Sequence, residues 1–400
     1  MRDARLLYAA AFLRSFTLGV LGVLLAFHLA SEGFDPARVG HVVSAGLLGV
    51  AFATAVTGLV ADRVGRRRVL LALNLAGVLA LVTIAFVPSL PLTVVAAFAG
   101  LVNGAGRDRG AQLTLEQAML ATTTLPTTRT RAYALYNVGQ DSGAALGSLA
   151  VVGLERLAAW GAYARDDVGH VGVLLCAALC VAGLLCYARL SGAVEAPIGP
   201  KALPLSSATR SRVTRLAALF ALDSLGGGLL TATFMTMIFH GRFDASEGTI
   251  GALFVGARVL NALSHVGAAW LSRRIGLVNT MVFTHTPSSL LLVTIAISTS
   301  FPVAAVFFLL REGLVEMDVP TRQSYVNGIV EPHERTRVNA VTNLVRMLAW
   351  AIAAEVSGRF MAAGSFWLPL VLCASMKVVY DLTLWVSFRR LKPPEERAVA

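Results

Sequence analysis

The stretch Gly58–Arg67, GLVADRVGRR, places four charged residues within six positions between two long apolar segments. Residues 41–60 precede it and residues 69–87 follow it. Each segment is long enough to cross the hydrocarbon core of a bilayer as a helix, which takes about 20 residues. Apolar runs alternate with charged or Gly/Pro-rich joints along the rest of the chain as well. The pattern therefore predicts an all-α membrane protein.

The composition points the same way. The 400 residues are 56% hydrophobic and only 14% charged, which is too few charges to cover a soluble particle of this size. No nucleotide-binding glycine loop and no metalloprotease or paired-cysteine motif occurs in the sequence. We therefore expect neither an enzyme nor a bound metal or other cofactor. The excess of basic residues is interpreted as membrane topology and not as nucleic-acid binding.

Twelve spans are predicted, in two sets of six. They are residues 6–29, 41–60, 69–87, 92–120, 132–153 and 169–188, then 215–238, 250–271, 278–299, 303–328, 338–360 and 367–388. The corresponding domains are an N-terminal bundle (1–188), a polar cytoplasmic linker (189–214), a C-terminal bundle (215–390) and a cytoplasmic tail (391–400). With both termini inside, the cytoplasmic segments hold 21 of the 34 Lys and Arg residues and the outer loops hold four. This bias predicts a multi-pass protein of the cell (inner) membrane, with cytoplasmic termini.

The two halves resemble each other. Residues 129–137 match residues 335–343 at five of nine positions, at an offset of 206. Shorter matches recur in the same order, including Phe34-Asp35 with Phe243-Asp244. We interpret the chain as two parallel six-helix repeats related by an axis along the membrane normal.

Gly58–Arg67 resembles the G-x3-D-[RK]-x-G-[RK]-[RK] signature of the major facilitator superfamily, and a degenerate copy lies between spans eight and nine. The resemblance covers the whole chain. It implies secondary transport by rocking of two bundles, with spans one, four, seven and ten lining a central cavity. It also implies a cytoplasmic gate, to which we assign Asp62, Arg63, Gly65, Arg66 and Arg67. The chain departs from the family's drug exporters, because span five lacks a Gly-Pro pair and the first half of span four lacks an arginine.

Eighteen ionisable residues fall within the spans, nine basic and nine acidic. Facing lipid, each would cost about 3 kcal/mol at a helix centre, so most must pair or face water. Half of them lie on spans four and ten. The repeat predicts two pairs of opposite polarity, Arg14 with Glu116 and Asp223 with Arg322. Either the pairs are structural, or at least one of them is broken by protonation or by substrate during transport. Glu116, Asp223 and Asp318 are the candidate proton-coupling residues.

Span four carries Arg107-Asp108-Arg109 near its middle, flanked by Gly104, Gly106 and Gly110. A glycine-rich break would allow backbone groups and guanidinium groups to contact a ligand. With Arg14 and Arg322, these three residues form the predicted substrate site. The alternative is a salt-bridge network with Glu312 and Glu316 of span ten.

Three local features complete the predictions. Pro320 should kink span ten between Asp318 and Arg322. Lys377 and Asp381 are one helical turn apart and are predicted to form an ion pair within their helix. His28 and His240 are expected in the wet interface at the outer ends of their spans.

The resulting hypothesis is a monomeric, proton-coupled secondary transporter of a small polar solute, anionic or zwitterionic. Its partners are the solute, protons and the lipid bilayer. The alternative is a proton-driven multidrug exporter of amphiphilic or cationic compounds. A non-transporting receptor or scaffold is a third possibility, which the lack of an appended soluble domain disfavours.

Overall fold

The computed structural model describes residues 2–106, 110–124, 129–195, 207–330 and 334–391. All regular structure in these ranges is helical. The α-helices are α1 (Arg2–Ser31), α2 (Pro36–Val64), α3 (Arg66–Phe86), α4 (Leu90–Gly100), α5 (Ala111–Thr123), α6 (Arg129–Ala159), α7 (Val168–Ala188), α8 (Ser207–Gly228), α9 (Ala232–Phe243), α10 (Glu247–Ile275), α11 (Leu277–Ile297), α12 (Phe301–Val315), α13 (Asp318–Gly328), α14 (Arg335–Ala362) and α15 (Leu368–Phe388).

Ten helical segments within the described ranges are long and apolar enough to cross a membrane. Their outward surfaces carry large apolar side chains. Phe52, Leu59 and Ile297, for example, are 60–76% exposed. Water would penalise such a surface, whereas lipid tails solvate it. The all-α membrane fold predicted from the sequence is therefore confirmed.

Local signals explain the helix boundaries. Asp35 caps α2, because its carboxylate accepts a hydrogen bond from the backbone N–H of Arg38 at 2.9 Å, and Pro36 occupies the first helical position. Helices extend beyond the apolar spans that contain them. α8, for instance, begins at Ser207, eight residues before the predicted span, because a helix continues into polar sequence after the membrane ends.

Predicted spans four, seven and ten are each divided into two helices. In span four, α4 ends at Gly100, Leu101 adopts a left-handed conformation (φ 58°), and α5 begins only at Ala111. Span seven breaks after Gly228, and Thr231 caps α9. Because spans four and ten are divided, neither counts as a long apolar helix, which accounts for ten long segments where twelve spans are predicted.

The break in span ten lies at Glu316 and Met317, between α12 and α13, and not between Asp318 and Arg322 as predicted. The reason is the geometry of proline. Its ring clashes with the carbonyl four residues earlier, and its missing N–H costs nothing in the first turn of a helix. Pro320 therefore interrupts the helix at Glu316, directly after α12, and lies in the first turn of α13.

The chain forms two compact units. Unit 1 comprises Met1–Pro200, Thr231–Val255 and Ala354–Gly364. Unit 2 comprises Lys201–Leu230, Gly256–Ala353 and Ser365–Ala400. Each has an apolar core, with Leu7, Leu70 and Met119 in unit 1 and Leu216, Met281 and Leu384 in unit 2.

Glycine brings α1 and α6 into backbone contact in unit 1. A Cβ atom built on Gly143 would lie 2.5 Å from the carbonyl oxygen of Phe12, and one on Gly147 would lie 2.1 Å from that of Phe16. Gly19 of α1 approaches Ala144 of α6 equally closely, at 2.3 Å. Gly139, one turn earlier on α6, has nothing within 4 Å. Small residues at four-residue spacing thus set the separation of these helices.

Candidate functional site

Unit 1 contains the predicted pair Arg14–Glu116. Arg14 of α1 binds both carboxylate oxygens of Glu116 on α5, with Nη2 2.7 Å from Oε2. Glu116 is fully buried, and the Arg14 side chain is 12% exposed. A two-pronged guanidinium–carboxylate contact is the strongest common ion-pair geometry. It fixes the orientation of α1 relative to α5.

Two buried tyrosines complete this pair. Tyr136 of α6 and Tyr187 of α7 each donate a hydroxyl hydrogen to one oxygen of Glu116. Each hydroxyl oxygen also accepts a hydrogen bond from Arg14, at 3.1 Å for Tyr136 and 2.9 Å for Tyr187. The four side chains, called here the Arg14 network, join four helices in a closed set of hydrogen bonds. The sequence predicts the ion pair but not the tyrosines.

A cavity of about 60 Å³ lies beside Arg14. Its wall includes the break between α4 and α5 and the polar side chains of Asn74, Asn103 and Gln112. Asn74 donates to the Cys180 carbonyl at 2.6 Å. Arg107, Asp108 and Arg109, predicted to bind substrate at this break, lie outside the described residues.

Unit 2 contains the second predicted pair, within a larger network. Asp223 of α8 accepts from Arg322 of α13 at 3.3 Å through Oδ2, and from Lys377 of α15 at 2.7 Å through Oδ1. Arg322 also donates to Asp318 at 2.8 Å, one turn earlier on α13. All four side chains are at most 7% exposed. One carboxylate thus bridges two cations that lie on different helices.

The hydrogen bonds continue from Lys377 to His285 of α11. Lys377 Nζ lies 3.1 Å from His285 Nε2, and His285 Nδ1 lies 2.9 Å from Asp381 Oδ1. Thr286 donates to the other oxygen of Asp381 at 3.0 Å. An ammonium group can only donate, so Nε2 is the acceptor and Nδ1 carries the hydrogen that binds Asp381.

These contacts correct the prediction for Lys377 and Asp381, which do not form an ion pair with each other. Spacing of one turn makes the pair possible, but both residues are buried and have partners on other helices: Asp223 for Lys377, and His285 with Thr286 for Asp381. A buried charge takes the partner that also satisfies its remaining hydrogen bonds. Lys377 therefore joins α15 to α8.

We call the connected side chains, together with the adjacent Arg346, the Asp223 network. They are Asp223, Asp318, Arg322, His285, Thr286, Lys377 and Asp381. Arg346 of α14 donates to Ser224 at 3.2 Å, beside Asp223. The formal charges of the Asp223 network balance when His285 is neutral. The carboxylates are Asp223, Asp318 and Asp381, and the permanent cations are Arg322, Lys377 and Arg346. One added proton, on His285 or on one of the carboxylates, gives the Asp223 network a net positive charge.

The prediction that His28 lies in a wet interface is wrong. His28 is fully buried, and its Nε2 contacts the carbonyl of Ile84 at 2.9 Å. The N-terminus of α7 covers it, because Gly169 has no side chain and approaches the backbone of His28 closely. His240 is exposed, and its Nδ1 contacts the Ala245 carbonyl at 3.1 Å.

In the predicted gate, Asp62 and Arg66 form a salt bridge at 2.8 Å between the end of α2 and the start of α3. Gly65 connects the two helices with φ 104°, a conformation that favours glycine. Arg67 donates to the carbonyl of Ala188, and Arg63 is exposed. The structure brings Asp62 and Arg66 together and leaves Arg63 pointing to solvent.

Glu195, for which the sequence predicts no role, caps α3. Its carboxylate accepts from the backbone N–H of Arg66 at 2.6 Å and of Arg67 at 3.1 Å. The N-cap residue Gly65 has no side chain to do this. A carboxylate at a helix N-terminus both satisfies free N–H groups and interacts favourably with the helix dipole. The segment after α7 is thereby attached to the α2–α3 loop.

We expect Glu195→Ala to lower the free energy of unfolding by about 1–2 kcal/mol, because two N–H groups lose their acceptor. The measurement is denaturant unfolding in detergent, followed by tryptophan fluorescence. Asp166→Ala removes an exposed acid from another loop and should change stability little. Equal effects of the two substitutions would contradict the capping role.

Comparisons with known proteins agree with this architecture. A family model described as Major Facilitator Superfamily matches residues 7–354. An uncharacterised membrane protein of Saccharomyces cerevisiae, YJR124C, is 24% identical over 421 residues, covering 97% of this chain and 94% of the yeast protein. The nucleoside transporter NupG has a similar structure, with a TM-score of 0.76, 16% identity, and coverage of 97% of this chain and 100% of NupG. A D-xylose–proton symporter has a TM-score of 0.71 at 15% identity, with 96% of each chain covered.

Proposed function

Since the chain belongs to the Major Facilitator Superfamily, we propose that it is a proton-coupled secondary transporter that carries a small anionic or zwitterionic solute by alternating access. The observation that carries the proposal is the Asp223 network, in which a histidine lies between a carboxylate and a lysine inside the protein. The transporter lies in the cell membrane with both termini in the cytoplasm, and it acts as a monomer.

Proton coupling follows from the contacts of His285. While neutral, it accepts a hydrogen bond from Lys377. Once protonated, both of its ring nitrogens donate, so a second cation lies 3.1 Å from the ammonium group of Lys377. Nε2 also lies 3.7 Å from Asp223 Oδ1, so the protonated ring competes with Lys377 for that oxygen, and the contact between Lys377 and Asp223 changes. Because Asp223 also binds Arg322, uptake of one proton at α11 is transmitted to α8 and α13.

The substrate class follows from the charge balance. The protonated Asp223 network has a net positive charge, and in a low-dielectric interior this favours entry of an anionic group. We assign Arg14, Arg107, Asp108, Arg109 and Arg322 to substrate binding, because the guanidinium groups among them can pair with an anionic group. Asp223 and Asp318 release Arg322 for the substrate as the proton enters. Glu116 releases Arg14 in the same way.

The salt bridge between Asp62 and Arg66 keeps the cytoplasmic gate in one conformation.

The test is substrate-induced proton movement in proteoliposomes that contain a pH-sensitive dye. Panels of small organic anions, zwitterions, neutral nucleosides and amphiphilic cations are added to protein in vesicles with an imposed pH gradient. We expect that adding anions or zwitterions to vesicles with the wild-type protein causes proton movement across the membrane. We expect His285→Asn and Asp223→Asn to lose gradient-driven accumulation while retaining exchange of labelled solute across the membrane.

His240→Asn is the matched control, because this exposed histidine lies outside the Asp223 network and should leave coupling unchanged. Proton movement that only cations induce would favour the drug-exporter alternative. Anion flux that ignores the gradient in wild type would overturn proton coupling.

A further inference from the structure

Three potential metal ligands meet at one end of unit 1. His28 is in the last turn of α1, Glu32 directly follows that helix, and His170 is in the first turn of α7. Their ligand atoms all lie within 4.8 Å of one another. We propose that these residues bind a divalent transition-metal ion of the Zn²⁺ class. None of the three belongs to the Arg14 or Asp223 networks, so the proposal is independent of the transport mechanism.

The hydrogen bonding of His28 prepares it for a metal. The Ile84 carbonyl, 2.9 Å from Nε2, can only accept a hydrogen bond, so Nε2 carries the hydrogen. The other nitrogen, Nδ1, then has a free lone pair. It is buried and has no hydrogen-bond partner among the described residues. Metal-binding histidines usually donate their second N–H to a carbonyl or carboxylate in this way.

An unpartnered imidazole nitrogen inside a protein loses its hydration without compensation. A metal ion shared with a second imidazole, that of His170, and with the carboxylate of Glu32 would supply that compensation. The rings of His28 and His170 have centroids 5.8 Å apart, and Glu32 is one turn from His28 along the chain. Two histidines and one carboxylate are a ligand set that zinc accepts, with a fourth position for water or another ligand. Mg²⁺ and Ca²⁺ prefer oxygen ligands, so a site with two imidazole nitrogens does not suit them.

The backbone permits this approach because residue 169 is glycine. A Cβ atom there would lie 2.9 Å from the Cα atom of His28, so any side chain would separate α7 from α1. Phe86 contacts the ring of His170 edge-on, with centroids 5.4 Å apart.

Only a small adjustment completes the site. Bonds of about 2.0–2.1 Å in tetrahedral geometry put ligand atoms about 3.4 Å apart. The side chains must therefore close in by at most about 1.4 Å from their present separation. Glu32 and His170 are only partly buried and can rotate, whereas His28 is held by the Ile84 carbonyl. The bound ion would connect α1 to α7.

The test uses tag-free, metal-stripped, full-length protein in detergent, titrated with ZnCl₂ in competition with a chromogenic chelator. We expect one Zn²⁺ per chain in wild type. We expect His28→Ala and His170→Asn to weaken binding at least tenfold and Glu32→Gln to weaken it measurably. His240→Asn, at an exposed histidine that lies outside the cluster, should bind like wild type.

Zn²⁺ should also raise the thermal unfolding temperature of wild type and of His240→Asn but not of His170→Asn. Because His170 is partly exposed, its replacement should leave the metal-free protein folded, which size-exclusion chromatography checks. As a second readout, Cu²⁺ bound in place of zinc should show coupling to two imidazole nitrogens by electron paramagnetic resonance. No stoichiometric binding in wild type, or unchanged binding in both histidine variants, would overturn the proposal.

Discussion

Arg14→Met should lower the free energy of unfolding by about 3–5 kcal/mol, the usual cost of leaving one partner of a buried ion pair without the other. Glu116 is fully buried and would retain only the hydroxyl groups of Tyr136 and Tyr187 as donors. Methionine matches the length of the arginine stem, so loss of packing contributes little. The measurement is reversible unfolding in detergent micelles.

Two further variants separate charge from packing. Arg38→Met breaks a half-exposed pair with Asp35, whose charged atoms are 3.7 Å apart, and should cost less than about 1 kcal/mol. The double variant Arg14→Met/Glu116→Gln should recover most of the loss, because glutamine carries no charge and its oxygen still accepts from a tyrosine. If Arg14→Met costs no more than Arg38→Met, the Arg14 network is not what holds these helices.

The sequence is sufficient to predict the two buried pairs because burial leaves few options. An arginine and a glutamate within different apolar spans cannot both face lipid, and the repeat aligns each with its counterpart in the other half. Arg14–Glu116 and Asp223–Arg322 follow from that argument, and both are present. Their opposite polarity is also visible in the sequence. What the sequence does not give is the number of partners of each carboxylate.

Lys377 shows why. Its neighbours along the chain make an ion pair with Asp381 the simplest prediction, yet tertiary packing brings Asp223 from α8 to 2.7 Å. His285 is missed for a related reason. A histidine in an apolar span is normally a packing residue, but His285 lies in a polar run, THTPSS at residues 284–289, in the middle of span nine. That run is the signal that could have identified it.

Helix breaks were only partly predictable. The glycines near Arg107 correctly indicate the division of span four, although the positive φ of Leu101 has no sequence signal. Pro320 correctly indicates that span ten is interrupted, but the interruption lies four residues earlier, at Glu316. In each case composition identifies a weak point in the helix. Steric detail then decides which backbone bonds are lost.

Gly147→Ala should destabilise the protein by about 3 kcal/mol, at the upper end for overpacking, because the new methyl group meets backbone and not a movable side chain. Its Cβ atom would lie 2.1 Å from the Phe16 carbonyl oxygen. Helices α1 and α6 would have to separate by roughly 1 Å to relieve the contact. Gly139→Ala on the same helix has open space around it and should be neutral or slightly stabilising. Unfolding in detergent micelles measures both.

The same displacement should weaken the Arg14 network. Arg14 lies between Phe12 and Phe16 on α1, the two residues whose carbonyls contact Gly143 and Gly147, and it donates to Tyr136 on α6 at 3.1 Å. Moving α1 away from α6 lengthens that hydrogen bond. Gly147→Ala combined with Arg14→Met should therefore cost less than the sum of the two single substitutions. Strict additivity would mean that the helix contact and the ion pair act separately. An equal effect of Gly139→Ala and Gly147→Ala would contradict overpacking against the Phe16 carbonyl.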